Sequence, residues 1–599
     1  MVKVEAEAST VFECSWEVCN KVGGIYTVIE SKALHMLKYY EDYYTIGPYF
    51  KDKCETEFKE EDPPKLWKDI FYDLSSESGI ICHYGTWLIE GEPKAILLEF
   101  YSLKDKINYL KKYYWDNYKI DSLYSSWEFE EPMIWSYATA LLVDKYQKKT
   151  SKKNIIGHFH EWLSGFGLLH LKKINSLVKN VFTTHATILG RTLSSKGIDI
   201  YSSLDKINAE VEARKAGIID KFTIERASAL NADCFTTVSE ITAKETEYFF
   251  GKLPDVLTLN GFNADQFPTI EETSLMHLYA RRKLRDYITY HFFPYYPITL
   301  KHNLIFSVCG RPEIKNKGID IFIKALGKLN NYLKENPFGE RTITAFFWPL
   351  QNNNGPKIEL MQSKDYFRQI KEYIEQHSEN IINDILYDVL NDRPIKIDTS
   401  INEKFLTNMR KKHYLLKRQG NPLICSYNIS NDNDILQLLK QAGLDNSKET
   451  PVKVIYYPAD LNNDSLLLNL DLYDAIAGCH LTVLPSYYEP WGYTPLESIA
   501  VGVPTITTDL SGFGRFMKKK KKDNEKREGV FILERYQKSE EEVINKLFQF
   551  LKQFSELKHY ERVQEKIKAK ELSFLLDWNQ LIENYISAHN FAISKTKKE

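Results

Sequence analysis

With 599 residues, the chain is too long for one hydrophobic core, so at least two domains are expected. Its 43% apolar and 27% charged residues suit an ordinary globular enzyme. Its 79 Lys and Arg nearly cancel its 81 Asp and Glu, leaving no global field to favour nucleic acid or a membrane surface.

The opening stretch, MVKVEAEASTVFECSWE (1–17), lacks a basic region followed by an apolar run, so no secretion signal is expected. No later segment approaches the roughly 18 apolar residues of a membrane span. The eight cysteines are scattered without CxxC or Cys/His spacing, which fits a reducing, cytoplasmic setting and no zinc. At Asn20-Lys21-Val22-Gly23-Gly24, paired glycines precede a helical run from Ile25. Such glycines let backbone N–H groups approach a phosphate or sugar, although Gly-Gly also serves as a plain turn.

Apolar strand-like runs then alternate with helical patterns, the signature of α/β units with parallel sheets. In the first half these runs include NIIGHFH (154–160), NVFTTHA (180–186) and CFTTVSE (234–240), with AKETEYFFGKL (243–253) as a helix. His158, His160 and Glu161 end one strand and His185 the next, but HFHE lacks the i, i+4 spacing of a helical metal site, so no metal is expected. The segment 271–293 has helical spacing, and two doubly wound halves should meet between residues 265 and 300.

The second series of strands runs through NLIFSVCG (303–310), TITAFFWP (342–349), VKVIYYPA (452–459), LTVLPS (481–486) and PTITTDL (504–510). Residues 355–425 are more polar and read as a helical excursion that could serve as an oligomer contact. Helix is expected again from Ser539 to Ala592. Lys518 to Lys522 reads as a solvated loop, with phosphate or glycan binding as the alternative.

Two features of this half suit a diphosphate-bearing sugar. Arg311 and Lys317 offer a fork and a point charge, which would neutralise a departing diphosphate; read alone, they could equally be surface charges. In SYYEPWGYTPLE, Glu489 and Glu497 flank a reversal between a strand and a helix expected to start near Thr494. A helix start at the carboxyl end of a strand favours an anion. Gly492 allows close backbone approach and Tyr493 offers a flat face for a base. Thr494-Pro495-Leu496-Glu497 also reads as a capping box, a structural role that competes for Glu497. Glu489 has no such alternative.

SYYEPWGYTPLE resembles the E-x7-E signature of retaining nucleotide-sugar glycosyltransferases, in the form found in the animal and fungal glycogen synthase family. FECSWEVCNKVGGIYTVIESKA (12–33), HFHEWLSGFG (158–167), TTHATILGR (183–191), TTVSEITAKE (236–245), TLNGFN (258–263), GRPEIKNKGIDIFIKAL (310–326) and LLDW (575–578) match that family in order. The resemblance implies two Rossmann-like domains facing a cleft, the GT-B fold. Their expected extents are 1–272 for the acceptor side, 273–572 for the nucleotide-sugar side, and a C-terminal helix (573–599) packing back on the first.

The implied reaction transfers glucose from UDP-glucose to the 4-hydroxyl of an α-1,4-glucan with retention, without metal or cofactor, in a homotetramer. Implied catalytic residues are Glu489, His185, Arg311 and Lys317. Lys21, Gly23, Gly24, Arg191, Trp491, Gly492, Tyr493, Thr494 and Glu497 are implied at the donor, and His158, Glu161 and Asn263 at the sugar and acceptor cleft. Other enzymes with E-x7-E, such as sucrose- or trehalose-forming transferases, and a catalytically dead glycan-binding scaffold are the alternatives. The motif leaves UDP-glucose and ADP-glucose undecided from the residues alone.

Two departures stand out. Pro312 replaces the family's aromatic residue after Arg311. The stretch matching the family's arginine-rich, glucose 6-phosphate-sensing helix has Arg562 as its one arginine, beside Lys558, Lys566, Lys568 and Lys570, so weak or absent activation is expected.

Overall fold

The computed structural model describes residues 4–337, 340–395, 403–430, 433–520 and 527–595. Two sheets organise the chain. The first comprises β1 (Thr10–Cys14), β2 (Asp42–Pro48), β3 (Phe58–Glu60), β4 (Ile81–Trp87), β5 (Lys94–Glu99), β6 (Ile155–His160), β7 (Lys179–Thr184), β8 (Cys234–Thr237) and β9 (Val256–Leu257). Their order is β3-β4-β5-β2-β1-β6-β7-β8-β9. The second comprises β10 (Asn303–Gly310), β11 (Thr342–Pro349), β12 (Val452–Tyr456), β13 (Leu481–Val483), β14 (Thr505–Thr508) and β15 (Val530–Leu533), in the order β12-β11-β10-β13-β14-β15.

All pairings of the second sheet are parallel. The first departs from the expected parallel pattern at one edge, where β4 runs antiparallel to both β3 and β5. Residues 88–93 connect β4 to β5, too short a link for the crossover that parallel pairing demands. Elsewhere helices cover both faces, so β1 is buried along its whole length even though Thr10 and Glu13 stand among its apolar residues. Register aligns the strand ends: Cys14 lies opposite Phe159, and His160 opposite Thr183. The loops after β1, β6 and β7 therefore leave from one rim.

The helix expected at 271–293 forms over Ile270–Phe292, started by a reciprocal capping box between Thr269 and Glu272. Its Ala280, Leu284 and Tyr287 join the core of the second sheet. The excursion forms three helices, Ile358–Gln376, Ser378–Leu390 and Glu403–Leu416, of which the second and third bury no residue. The lysine run is not wholly a loop: Lys518 to Lys520 form the last turn of the Gly512–Lys520 helix, while Lys521 and Lys522 lie outside the described residues. Lys518 pairs with Glu534 at 2.6 Å and Lys519 with Glu240.

The final helix, Trp578–Ser594, returns to the first sheet. Trp578 is fully buried and donates Nε1–H to Ser31 Oγ at 2.9 Å. His589 reaches between Tyr40 and His158, at 2.9 and 3.1 Å.

Candidate active site

The carboxyl ends of the two sheets enclose a cleft of about 810 Å³, within the size range of small-molecule sites. Gly23, Gly24, His185 and Arg191 line it from the first sheet. Arg311, Lys317, Glu489, Trp491, Gly492, Tyr493 and Thr494 line it from the second.

The second wall is built on the turn after β13. Glu489 Oε2 lies 2.5 Å from Lys317 Nζ and accepts from Ser486 Oγ at 3.2 Å. The carboxylate and the ammonium thus neutralise each other in the open cleft. Arg311 is 71% exposed and bonds only weakly inward, through Nε to Glu313 at 3.2 Å. Gly492 sits at φ +111, where an added Cβ would lie 3.3 Å from Glu489 Cγ, so a side chain there would be strained and would press on the carboxylate's stem.

The helix beyond starts at Tyr493 with Gly492 as N-cap, and Thr494 does not cap it. The capping box expected at Thr494–Glu497 is therefore absent: the left-handed glycine starts the helix earlier and places Thr494 inside it. Glu497 instead accepts from Tyr473 at 3.1 Å, and burial raises its pKa. Trp491 is 3% exposed and packs in the core, as does much of Tyr493, whose hydroxyl is buried without a partner among the described residues.

The first wall is supported from inside. Glu161 stands at φ +63, an uncommon conformation for a residue with a side chain, and its carboxylate accepts from the backbone N–H of His185 (2.9 Å) and Ala186 (3.1 Å). Burial raises its pKa, against the pull of Arg191 and those two N–H groups. Glu161 thus holds the His185 loop from behind and does not line the cleft. His185 Nε2 lies 2.9 Å from His160 Nδ1. Burial first, then nearby His160 and Lys32, keep the His185 pKa well below the usual histidine range.

Gly23 faces the cleft with its N–H already donated to Glu17 Oε2 at 2.8 Å, and Tyr26 N–H donates to the same oxygen. Glu17 therefore caps the Gly24–Leu37 helix, a role that no neighbouring motif signals.

The two walls are pinned together by Glu245, which the sequence reading passed over. This buried carboxylate accepts from Thr187 Oγ1, from Tyr201 OH at 2.7 Å and from Tyr488 OH at 3.2 Å. Thr187 caps the Ile188–Ser195 helix that carries Arg191, and Tyr488 immediately precedes Glu489. Gly190 makes room for this contact, since a Cβ there would lie 2.3 Å from Glu245 Oε2. Burial pushes the Glu245 pKa up to about 7, against those three hydroxyl donors.

Besides Glu161 and Glu497, three more sequence candidates lie off the cleft. His158 is fully buried, bonded to Thr183 Oγ1 at 2.7 Å and to His589. Asn263 caps a short 3-10 turn and donates to Glu90; Asn260 lines the cleft instead. Lys21 is exposed beside the Tyr26 ring, 5.2 Å from its centroid, while its neighbours Val22 and Gly23 face the cleft. His158 shares the strand face of His160 but lies two residues before the end of β6, below the rim.

The family model described as Glycogen synthase matches residues 13–599. The Glycogen [starch] synthase of Dictyostelium discoideum is 34% identical over 98% of this chain and 67% of its own length. The liver Glycogen [starch] synthase of Homo sapiens is 34% identical over 99% of this chain and 84% of its own. The chain belongs to the glycogen synthase family. The Caenorhabditis elegans member is 35% identical over 98% of this chain and 88% of its own. The solved sucrose-phosphate synthase of Thermosynechococcus elongatus is similar at 12% identity over 98% of this chain and 99% of that one, with a TM-score of 0.49.

Within this family member the segment with one arginine does not stand alone. The His559–Ser573 helix brings Arg562 and Lys566 beside Arg281, Arg285 and His480; burial first, and then the neighbouring cations, lower the pKa values of Arg281, Lys566 and His480. Lys566 Nζ lies 3.1 Å from His277 Nδ1, and Arg281 donates to the carbonyls of Gly478 and Cys479 at 3.1 Å. Among the described residues, Arg281, Arg285, Arg562 and Lys566 form no ion pair with a carboxylate. Counting arginines in one helix missed cations supplied by another. None of the helices among the described residues is long and apolar enough to cross a membrane.

Proposed function

We propose that the chain transfers glucose from UDP-glucose to the non-reducing end of an α-1,4-glucan such as glycogen, with retention of the α configuration. The observation that carries this reading is the meeting of His185 and Arg191 with Arg311, Lys317 and Glu489 across one cleft, in a chain matching the glycogen synthase family along its length.

The donor diphosphate lies against Arg311, Lys317 and the helix start at Tyr493, which stabilise charge on the leaving group. On its arrival Lys317 exchanges part of its bond to Glu489 for phosphate, which frees Glu489 to accept from sugar hydroxyls. His185 and Arg191 hold the transferred glucose and the leaving phosphate from the opposite wall. Reaction on the front face lets that phosphate take the proton of the attacking hydroxyl, so no second carboxylate is needed as a nucleophile, in contrast to retaining glycosidases. Closure of the walls around Glu245 excludes water, which would otherwise hydrolyse the donor.

One assay tests the reading: labelled UDP-glucose and ADP-glucose, each with a glycogen primer, with and without glucose 6-phosphate, and label counted in polymer. Label from UDP-glucose is the expected result, and normal glycogen binding without turnover of either donor would make the chain a glycan-binding scaffold. A several-fold rise with glucose 6-phosphate is what the cation cluster supports; no response is what Arg562 alone predicts. The Ser378–Leu390 helix, with Leu386 52% and Leu390 81% exposed, supports association of copies through the excursion. Light scattering on the full chain reads that directly.

A further inference from the structure

The interior behind His185 carries a chain of polar side chains whose direction can be worked out. Glu13 lies on β1 with no exposure and receives hydrogen bonds from Lys32, from Tyr43 OH and, at 2.7 Å, from His160 Nε2. Burial alone would raise the pKa of Glu13, but Lys32 and the His160 hydrogen bond outweigh it and hold the group well below the usual carboxylate range. A carboxylate can only accept.

His160 must then carry its proton on Nε2 and offer a lone pair at Nδ1, which lies 2.9 Å from His185 Nε2. That contact is a hydrogen bond only if His185 carries its own proton on Nε2. His185 Nδ1 is left as a lone pair, without a hydrogen bond among the described residues and without being sealed into the interior; the residue lines the cleft. His158 on the same strand does not compete, being bonded to Thr183 and His589. Glu13, His158 and His160 bring ligand atoms within 4.8 Å of one another, but the Lys32 ammonium already serves as the counter-ion of Glu13.

We propose that Glu13, acting through His160, is a positioning residue that sets the tautomer of His185, so that Nδ1 accepts a hydrogen bond from one hydroxyl of the transferred sugar. This rests on the reading of the cleft as the donor site. A lone pair demands a true O–H, whereas the reversed tautomer would present N–H and tolerate a group that only accepts.

The test uses the full chain, a glycogen primer, UDP-glucose, and donor analogues in which each sugar hydroxyl in turn is replaced by fluorine. In the unmodified chain one analogue should carry a penalty in kcat/KM, about tenfold, that His185→Ala abolishes. In Glu13→Met with Lys32→Met, no acceptor at position 13 remains to hold the His160 proton on Nε2, and no buried charge is left. Transfer from UDP-glucose should then fall about tenfold and the penalty on that analogue vanish. In His160→Gln, the amide oxygen and nitrogen stand in for the two ring nitrogens in the original direction, and the penalty should persist.

A penalty unchanged by Glu13→Met with Lys32→Met, in a protein that melts cooperatively, would overturn the proposal. Should that variant not fold, His160→Gln and His160→Phe decide: a penalty kept by Gln and lost by Phe supports it, and one kept by both overturns it. Penalties that His185→Ala leaves untouched at every hydroxyl would instead remove His185 from the donor site altogether.

Discussion

The two walls of the cleft are organised in opposite ways. The first is fixed from within: His185 rests on His160 and Glu161, which are themselves buried and hydrogen-bonded. The second is held by charges that face the cleft, with Lys317 and Glu489 closing on each other and Arg311 standing in solvent. A wall built inward is preorganised but depends on the fold around it. A wall built of facing charges depends little on the fold and must rearrange when an anion arrives. Substitutions should therefore separate stability from transfer differently on the two sides.

The largest effect is expected beneath the first wall. Trp578→Ala removes a fully buried indole between the last helix and the sheet, and should lower unfolding free energy by about 4 kcal/mol, read from denaturant titration, with activity lost in proportion to unfolding. On the second wall, Glu489→Ala should cut transfer by about 10²- to 10³-fold while the melting temperature moves little. A collapse of stability there would erase the contrast between the walls.

Glu245 joins both, and its pKa makes the joint sensitive to pH. The folded value, about 7, lies above the ordinary 4.5, so its contribution to stability is fully present below pH 4.5 and is lost as pH rises through 7. Glu245→Gln cannot ionise and should flatten the fall in stability across that window, by at most about 3 kcal/mol, seen as a weaker dependence of melting temperature on pH. An unchanged slope would show that Glu245 is not the titrating group. The smallest effect belongs to the exposed pairs of Lys518 and Lys519: alanine at either should change stability by under about 1 kcal/mol, less still in high salt.

What could be read in advance follows the range of the forces involved. Strands covered on both faces show up as apolar runs, and helix spacing at 271–293 survives because periodicity is a local property. The strand-to-helix turn at Glu489 was legible for the same reason. Local signals failed where one residue shifts the local geometry. At Thr494 a good capping sequence is overruled by Gly492 in the left-handed region, and the short β4–β5 connection forces an antiparallel edge that composition does not reveal.

By itself, then, the sequence determined the α/β alternation, the two series of strands and the ordered motifs that identify the family. The tertiary structure alone decided which polar groups meet: Glu13 with His160, Glu245 with Tyr488, and Arg281 with Lys566 and Arg562. These residues lie on separate elements, and the packing of sheets and helices, not spacing along the chain, brings them together. The buried carboxylates were the hardest to read because their roles depend on desolvation, which no local pattern records.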